Sequence, residues 1–351
     1  MKILLTGGAG YIGSVVTTQL VQAGHQVTVY DNLVQGKRQA VSAKANLIVG
    51  ELADRDKLSD TFRRSSPDGV MHFAAFIDAG ESMKIPERYF RNNTANALML
   101  LETMVDHGVR RLVFSSTAAV YGHPESNPIE ETAPLAPINA YGESKLLVER
   151  MLPWFHAIHG LRYASLRYFN AAGGAGDLGE DHRPESHLIP LTLQVALGQR
   201  ESISIYGTDY ETQDGTCIRD YIHVVDLAAA HLLALDALSR HEQLIYNVGN
   251  GNGFSVREVI EAARRLTGHP IPTVEAARRS GDPAVLVASS NKIRQELGWH
   301  PQYTALYDII GTAWEWHKNH PDGYVERSTT AGTESSERAA TADYDEHSKT
   351  R

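Results

Sequence analysis

Tyr141-Gly142-Glu143-Ser144-Lys145 sets a phenol and an amine four residues apart. Read as the start of a helix running towards Trp154, the segment puts both side chains on one face. A tyrosine near its ordinary pKa of about 10 is a poor base at neutral pH, but a neighbouring ammonium favours the phenolate. Such a pair can take the proton of a hydroxyl while the carbon that bears it gives up hydride. Taken alone, the spacing fits a solvated Tyr/Lys surface pair equally well. Three more hydroxyls, Ser115-Ser116-Thr117, close an apolar run, at the edge where an open parallel sheet binds ligands. One of them can hydrogen-bond a reacting oxygen, although a solvated strand-end turn would use the same residue types.

Thr6-Gly7-Gly8-Ala9-Gly10-Tyr11-Ile12-Gly13 spaces Gly7, Gly10 and Gly13 as GxxGxxG between an apolar run and an amphipathic stretch. Without Cβ atoms the backbone can turn tightly and approach a pyrophosphate, while the N–H groups of the following helix supply positive potential. An ordinary glycine-rich strand–helix turn is the plainer alternative. Asp31 lies 18 residues beyond Gly13, at the end of the next apolar run. A carboxylate there accepts hydrogen bonds from ribose hydroxyls and repels a 2′-phosphate, so the combination favours NAD over NADP.

These groups need a frame. Ile3-Leu4-Leu5, Val27–Tyr30, Leu47–Val49, Val70–Phe73 and Leu112–Phe114 read as buried strands. Helical periodicity lies between them, at Ile12, Val15, Val16 and Leu20, around Phe62, at Leu98–Met104 and at Leu146–Trp154. Alternation of this kind predicts an α/β fold, a Rossmann-type doubly wound parallel sheet covered on both faces. Beyond about Asn170 the pattern loosens: Gly173–Gly179 reads as loop, Leu188–Leu197 as helix and Ile203–Tyr206 as strand. The expected division is a mainly NAD-binding domain over 1–170 and a smaller, mainly substrate-binding lobe over 171–320, with some segments returning to the first. Residues 326–351 hold no Leu, Ile, Val, Phe, Trp or Met and read as a disordered tail.

Composition narrows the partners. A 351-residue chain that is 42% hydrophobic can bury a sizeable core. Its net charge of −9 argues against nucleic acid, which needs a basic face. The single cysteine, Cys217, excludes an internal disulfide framework and a CxxC zinc site, and no metal site is expected. No apolar run approaches the roughly 20 residues that span a bilayer, and the N-terminal segment breaks into glycines after Leu5. A soluble, cytoplasmic protein without membrane partners is the expectation.

The ordered set of motifs resembles the extended short-chain dehydrogenase/reductase superfamily, and within it the UDP-glucose 4-epimerase family, over roughly residues 1–320. It runs TGGAGYIGS from Thr6, YDN from Tyr30, HFAA from His72, RNN at Arg91–Asn93 and FSSTAAVYG from Phe114. YGESK from Tyr141, LRYFNAAG from Leu166 and DGTCIRDYIHVVDLA from Asp214 follow. The resemblance implies an isomerase of galactose metabolism that epimerises C4 of a UDP-hexose through a transient 4-keto sugar, with tightly held NAD. It also implies a homodimer formed by two helices from each subunit.

Residue by residue, the resemblance makes Tyr141 the acid/base, Lys145 the group that lowers its pKa and holds the nicotinamide ribose, and Thr117 the bridging hydroxyl. Contacts to NAD are implied for Gly7, Gly10, Tyr11, Ile12, Gly13, Asp31, Asn32, Leu33, Gly36, Glu51, Leu52, Phe73, Ala74, Ala75, Asn93, Ser115, Tyr168 and Phe169. Contacts to the nucleotide sugar are implied for Asn170, His187, Leu188, Ser204, Ile205, Tyr206, Arg219, Arg279, Asp282 and Leu286. Guanidinium groups at Arg219 and Arg279 would suit a diphosphate. The chain departs from the family at Ile77, where a lysine is frequent, at Cys217, where glycine is usual, and at Leu286, where a tyrosine often lines the sugar pocket. Three alternatives stay open. One is 4-epimerisation of a UDP-N-acetylhexosamine, pentose or uronate; another is a 4,6-dehydratase, which needs acidic residues after the strand-end threonine where Ala118-Ala119 stand; the third is an NAD-binding protein without turnover.

Overall fold

Ile3, Leu4 and Leu5 are all buried although successive side chains of a strand point to opposite faces, so their sheet is covered on both sides. The computed structural model describes residues 1–279 and 282–325; the tail expected at 326–351 lies outside the described residues. Strands β1 (Lys2–Thr6), β2 (Gln26–Asp31), β3 (Asn46–Val49), β4 (Gly69–His72), β5 (Arg111–Thr117) and β6 (Arg162–Tyr168) come first. They are followed by β7 (Asn170–Ala172), β8 (Ile203–Tyr206), β9 (Ile218–His223), β10 (Gln243–Val248), β11 (Gly253–Ser255), β12 (Thr273–Ala276) and β13 (Val285–Leu286).

Seven of them form one sheet in the order β10-β6-β5-β4-β1-β2-β3, parallel throughout. The chain winds outward from β1 to β3, then returns to β4 and winds the other way. The crevice between the carboxyl ends of β1 and β4 is therefore the switch point at which such sheets take ligands. The doubly wound α/β fold read from the sequence is the observed one.

Helices Tyr11–Gln22 and Val224–Ala237 cover one face, burying Val15, Val16, Leu20, Leu227 and Ala234 against Leu5, Val29 and Val113. On the other face Phe62, Leu100, Met104, Val148 and Leu152, from helices Arg55–Ser65, Asn96–Asp106 and Ala140–His159, pack on Leu4, Val70 and Phe114. Each fully buried side chain of this size contributes about 1.5–3 kcal/mol relative to exposure. A third core gathers Leu193, Ile205, Tyr221, Ile260 and Ile310 beside two small sheets. In the first, β11, β9 and β13 lie in that order with β7 also on β9; in the second, β12 pairs β8.

The helix Ala140–His159 carries the Tyr/Lys pair and is set firmly. Asn139 caps it, its Oδ1 accepting the Gly142 N–H at 2.8 Å, and Gly160 closes it in the left-handed conformation. A Cβ on Gly142 would stand 2.6 Å from the Ala119 carbonyl oxygen. The glycine inside YGESK thus lets the helix start press against the chain leaving β5, beside Thr117.

Candidate active site

A cleft of about 400 Å³ opens at the switch point. Gly7, Gly10, Tyr11, Ile12, Gly13, Asp31, Asn32, Gly36, Glu51, Leu52, Phe73, Ala74 and Ala75 line it, together with Ser115, Tyr141, Lys145, Tyr168 and His187. At one end the helix Tyr11–Gln22 begins at Gly10 with no capping side chain and no acidic residue in its first turn. Its terminal N–H groups are left for an anion. A Cβ on Gly13 would come within 2.8 Å of the Gly8 Cα, so the turn closes only with glycine there.

Asp31 is nearly enclosed, and each carboxylate oxygen accepts a backbone N–H: Oδ2 from Ala9 at 3.0 Å and Oδ1 from Leu33 at 2.9 Å. Burial pushes its pKa up, while those two hydrogen bonds pull it down. Leu33 takes a positive φ of 61°, outside the cleft lining, and acts on Asp31 through its N–H. An uncapped helix end, an oriented carboxylate and a deep cleft between them fit an adenine dinucleotide.

The other end of the cleft holds the ionisable pair. Lys145 is buried and Tyr141 half-buried, with the Lys145 Nζ donating to the Ser115 carbonyl at 2.8 Å and lying 5.1 Å from the Phe114 ring centroid. Burial alone holds the ammonium down to about 7. Burial pushes the Tyr141 phenol up, and the Thr117 hydroxyl beside it pulls it back. The influence that lowers the phenol here is thus Thr117; the amine is engaged with Ser115. Tyr168 hydrogen-bonds the Ser115 hydroxyl and stands above its ordinary value through burial and the neighbouring Tyr141. Four oxygens and an amine converge where a substrate hydroxyl could lose its proton. After Thr117 come Ala118 and Ala119, which open a short 3-10 turn, so no carboxylate occupies the place that elimination of water would require.

Asn93 and Phe169 lie behind this surface. Asn93 sits in a π-helical turn, Phe90–Ala95, accepting the Phe76 N–H and donating to the Phe76 carbonyl, both at 2.9 Å, and to Ser144 Oγ at 3.0 Å. It ties the chain beyond β4 to the helix that carries Tyr141 and Lys145. Phe169 packs in an apolar cluster with Ala118 and Leu146.

Sequence reasoning passed over one set of groups. Glu149, four residues after Lys145 on the same helix, receives the Arg167 guanidinium at 2.6 Å and the Ser116 hydroxyl at 2.5 Å. Arg167 also donates to Tyr121 Oη at 3.0 Å, and Tyr121 donates to Asn247 Oδ1 at 2.7 Å. This buried network pins the helix to β5, β6 and β10; removing one partner would leave an uncompensated charge. The i, i+4 continuation from Lys145 to Glu149 was the available signal.

The residues matched to a nucleotide sugar gather around β8, β9 and β13. Ser204, Ile205 and Tyr206 lie in β8, with the Arg279 guanidinium 4.2 Å from the centre of the Tyr206 ring. Arg219 pairs with Asp282 and stands opposite Leu286 in the β9–β13 register. Asn170 donates to the Asp220 carbonyl at 2.9 Å, and Leu188 opens helix Leu188–Ala196, with His187 just before it. Cys217 is buried and free, and Ile77 lines the dinucleotide cleft.

Residues 3–249 match the NAD dependent epimerase/dehydratase family. The chain is 56% identical over 327 residues to the UDP-glucose 4-epimerase of Streptomyces lividans, covering 93% of this chain and 99% of that one. The crystal structure of UDP-glucose 4-epimerase from Brucella ovis in complex with NAD is similar with a TM-score of 0.87 and 43% identity, over 89% of this chain and 97% of that one. The UDP-Glc/GlcNAc 4-epimerase of Campylobacter jejuni gives a TM-score of 0.80 at 43% identity, over 90% and 99%.

Proposed function

The chain belongs to the NAD dependent epimerase/dehydratase family, and we propose that Tyr141 is the acid/base with which it carries out the NAD-dependent 4-epimerisation of UDP-glucose and UDP-galactose. The observation that carries the roles is the placing of Tyr141 and Lys145, with Thr117 beside the phenol, on the lining of the cleft that also holds the glycine turn and Asp31. The Gly7–Gly13 turn would hold the pyrophosphate of NAD, Asp31 the adenosine ribose hydroxyls and Lys145 the nicotinamide ribose. When bound, NAD supplies a ring that accepts hydride from the sugar C4 and returns it. Tyr141 takes the proton of the C4 hydroxyl as that hydride leaves, with Thr117 bridging the two oxygens, and hands the proton back when the other epimer forms. No proton or electron pair is left over, so the cofactor need not leave between turnovers. Purified chain loaded with NAD should interconvert UDP-glucose and UDP-galactose with no added reductant, and NADP should not replace NAD. A folded, NAD-loaded sample that exchanges neither sugar would contradict the reading.

Breadth of substrate is assigned to Leu286. It packs on a cluster containing Ala118, Leu146 and Phe169, each next in sequence to Thr117, Lys145 and Tyr168, and it faces Arg219 across the strand pair. The stretch Arg278–Leu286 that carries it includes Ser280 and Gly281, which lie outside the described residues. A leucine there leaves volume that a tyrosine would fill, so UDP-N-acetylglucosamine should turn over as a side activity. Leu286→Tyr should abolish that side activity and spare the hexose reaction, because a steric wall rejects only the larger ligand. Equal loss of both would mark Leu286 as core support, and no N-acetyl turnover in the unsubstituted chain would refute the assignment.

Residues 1–170 are assigned mainly to NAD and 171–320 mainly to the nucleotide sugar. A homodimer through helices Asn96–Asp106 and Ala140–His159 is supported by the exposure of Leu98, Trp154 and Ile158 on them. Among the described residues no helix is long and apolar enough to cross a membrane. A free cysteine and the acidic net charge suit the cytoplasm and a small-molecule partner rather than nucleic acid.

A further inference from the structure

Glu180, His182, Glu185 and His187 occupy one eight-residue stretch just before helix Leu188–Ala196. Each brings a donor atom to within 4.8 Å of the other three. Both imidazole Nδ1 atoms converge on one carboxylate oxygen: Glu180 Oε1 lies 2.8 Å from His187 Nδ1 and 3.0 Å from His182 Nδ1. Glu185 closes the group, with Oε1 3.0 Å from His187 Nδ1 and Oε2 3.9 Å from His182 Nδ1. The Ser186 and His187 N–H groups fix that glutamate by donating to the same Oε1, at 2.7 and 2.8 Å.

The two carboxylates are all but enclosed, with side-chain exposures of 6% and 5%. Among the described residues no Lys or Arg pairs with either; the nearby cations Lys37 and Arg183 are taken by Asp181. The partners of both glutamates are the two imidazoles. Two carboxylates withdrawn from water side by side are costly unless a cation, either a protonated His187 or a metal ion, answers them.

We propose that Glu180, His182, Glu185 and His187 form a binding site for one divalent transition-metal ion of the Zn²⁺ type. Ligand bonds of about 2.0–2.2 Å place neighbouring donors about 2.8–3.6 Å apart in octahedral or tetrahedral arrangements, and the carboxylate–imidazole separations of 2.8–3.9 Å span that range. Two imidazoles with two carboxylates suit Zn²⁺ or Co²⁺; Mg²⁺ and Ca²⁺ take all-oxygen sets. Two carboxylates balance a divalent charge with both imidazoles neutral. All four ligands come from one short stretch, so little chain has to be ordered to assemble them.

The ion would act as a staple. The same stretch lines the dinucleotide cleft through His182, Arg183, Pro184 and Ser186, and on its other side bounds a second cavity of about 320 Å³ with His317 and His320. Fixing it sets one wall of the cleft and the start of the helix that carries Leu188. Tyr141 is untouched, so metal binding is read without substrate and independently of the epimerase reading.

The test uses the full chain, purified without a histidine tag and stripped with a chelator. Titration with Zn²⁺ should show one tight equivalent per chain and a higher Tm. Co²⁺ should give a visible absorption band that Zn²⁺ abolishes and Mg²⁺ does not. Glu180→Gln and His182→Asn should each weaken the tight equivalent by about 10–100-fold or more, with the far-UV spectrum unchanged. Because Glu180 is enclosed, the partly exposed His182 provides the variant that keeps the test valid if Glu180→Gln misfolds. The absence of a saturable equivalent, its survival in the folded variants, or displacement of Co²⁺ by Mg²⁺ would overturn the site.

Discussion

Tyr141→Phe should leave a folded chain that still binds NAD and turns over UDP-galactose about 10²–10⁴-fold more slowly. The ring keeps its packing, so only the oxygen that exchanges a proton with the sugar hydroxyl is lost. Asn139, through its side-chain cap, and Gly142, through its close approach to Ala119, set the helix start by contacts that the substitution does not touch. Turnover, NAD content and Tm measured on one preparation check all three parts. Near-normal turnover would mean that another group, such as the Tyr168 phenol on the same cleft, takes the proton.

Lys145→Met should lower turnover at neutral pH by about 10²-fold and move the rising limb of the pH–rate profile upward. The sign follows from the two ionisations. Burial raises the Tyr141 phenol, and the Thr117 hydroxyl brings it back; an ammonium on Lys145 would favour the phenolate further once the proton moves to or from the sugar. Burial holds Lys145 down to about 7 while Tyr141 is neutral, but a phenolate forming beside it would keep the ammonium charged to higher pH, so the two ionisations support each other. Methionine has no charge at any pH. The variant's phenol then ionises only at higher pH, and activity should recover there in part. An unchanged profile in an active variant would remove this role from Lys145.

Much of this site was legible before any coordinates, because its signals are local. A strand, a glycine turn and a helix over Lys2–Gln22 occupy consecutive residues, and the i, i+4 pair Tyr141 and Lys145 needs only a helix to be brought together. What escaped sequence reasoning depends on contacts between distant elements. Arg167 looks like any charge in LRYFN until the β5–β6 register places it beside Ser116 and across from Glu149. Asn93 stands out by its motif, but its ties to Phe76 and Ser144 appear only once the chain is folded. The lone cysteine argues against a thiolate zinc site but carries no information about imidazole and carboxylate donors. Those at 180–187 converge only because the segment folds back on itself ahead of Leu188.

The central claim is that C4 loses and regains hydride while Tyr141 handles only the hydroxyl proton. UDP-galactose carrying deuterium at C4, converted by the NAD-loaded chain in ordinary water, tests it most directly. The account predicts UDP-glucose that retains deuterium at C4, with none released to solvent. Exchange of that deuterium with water would show that the carbon loses a proton instead, and would contradict the account.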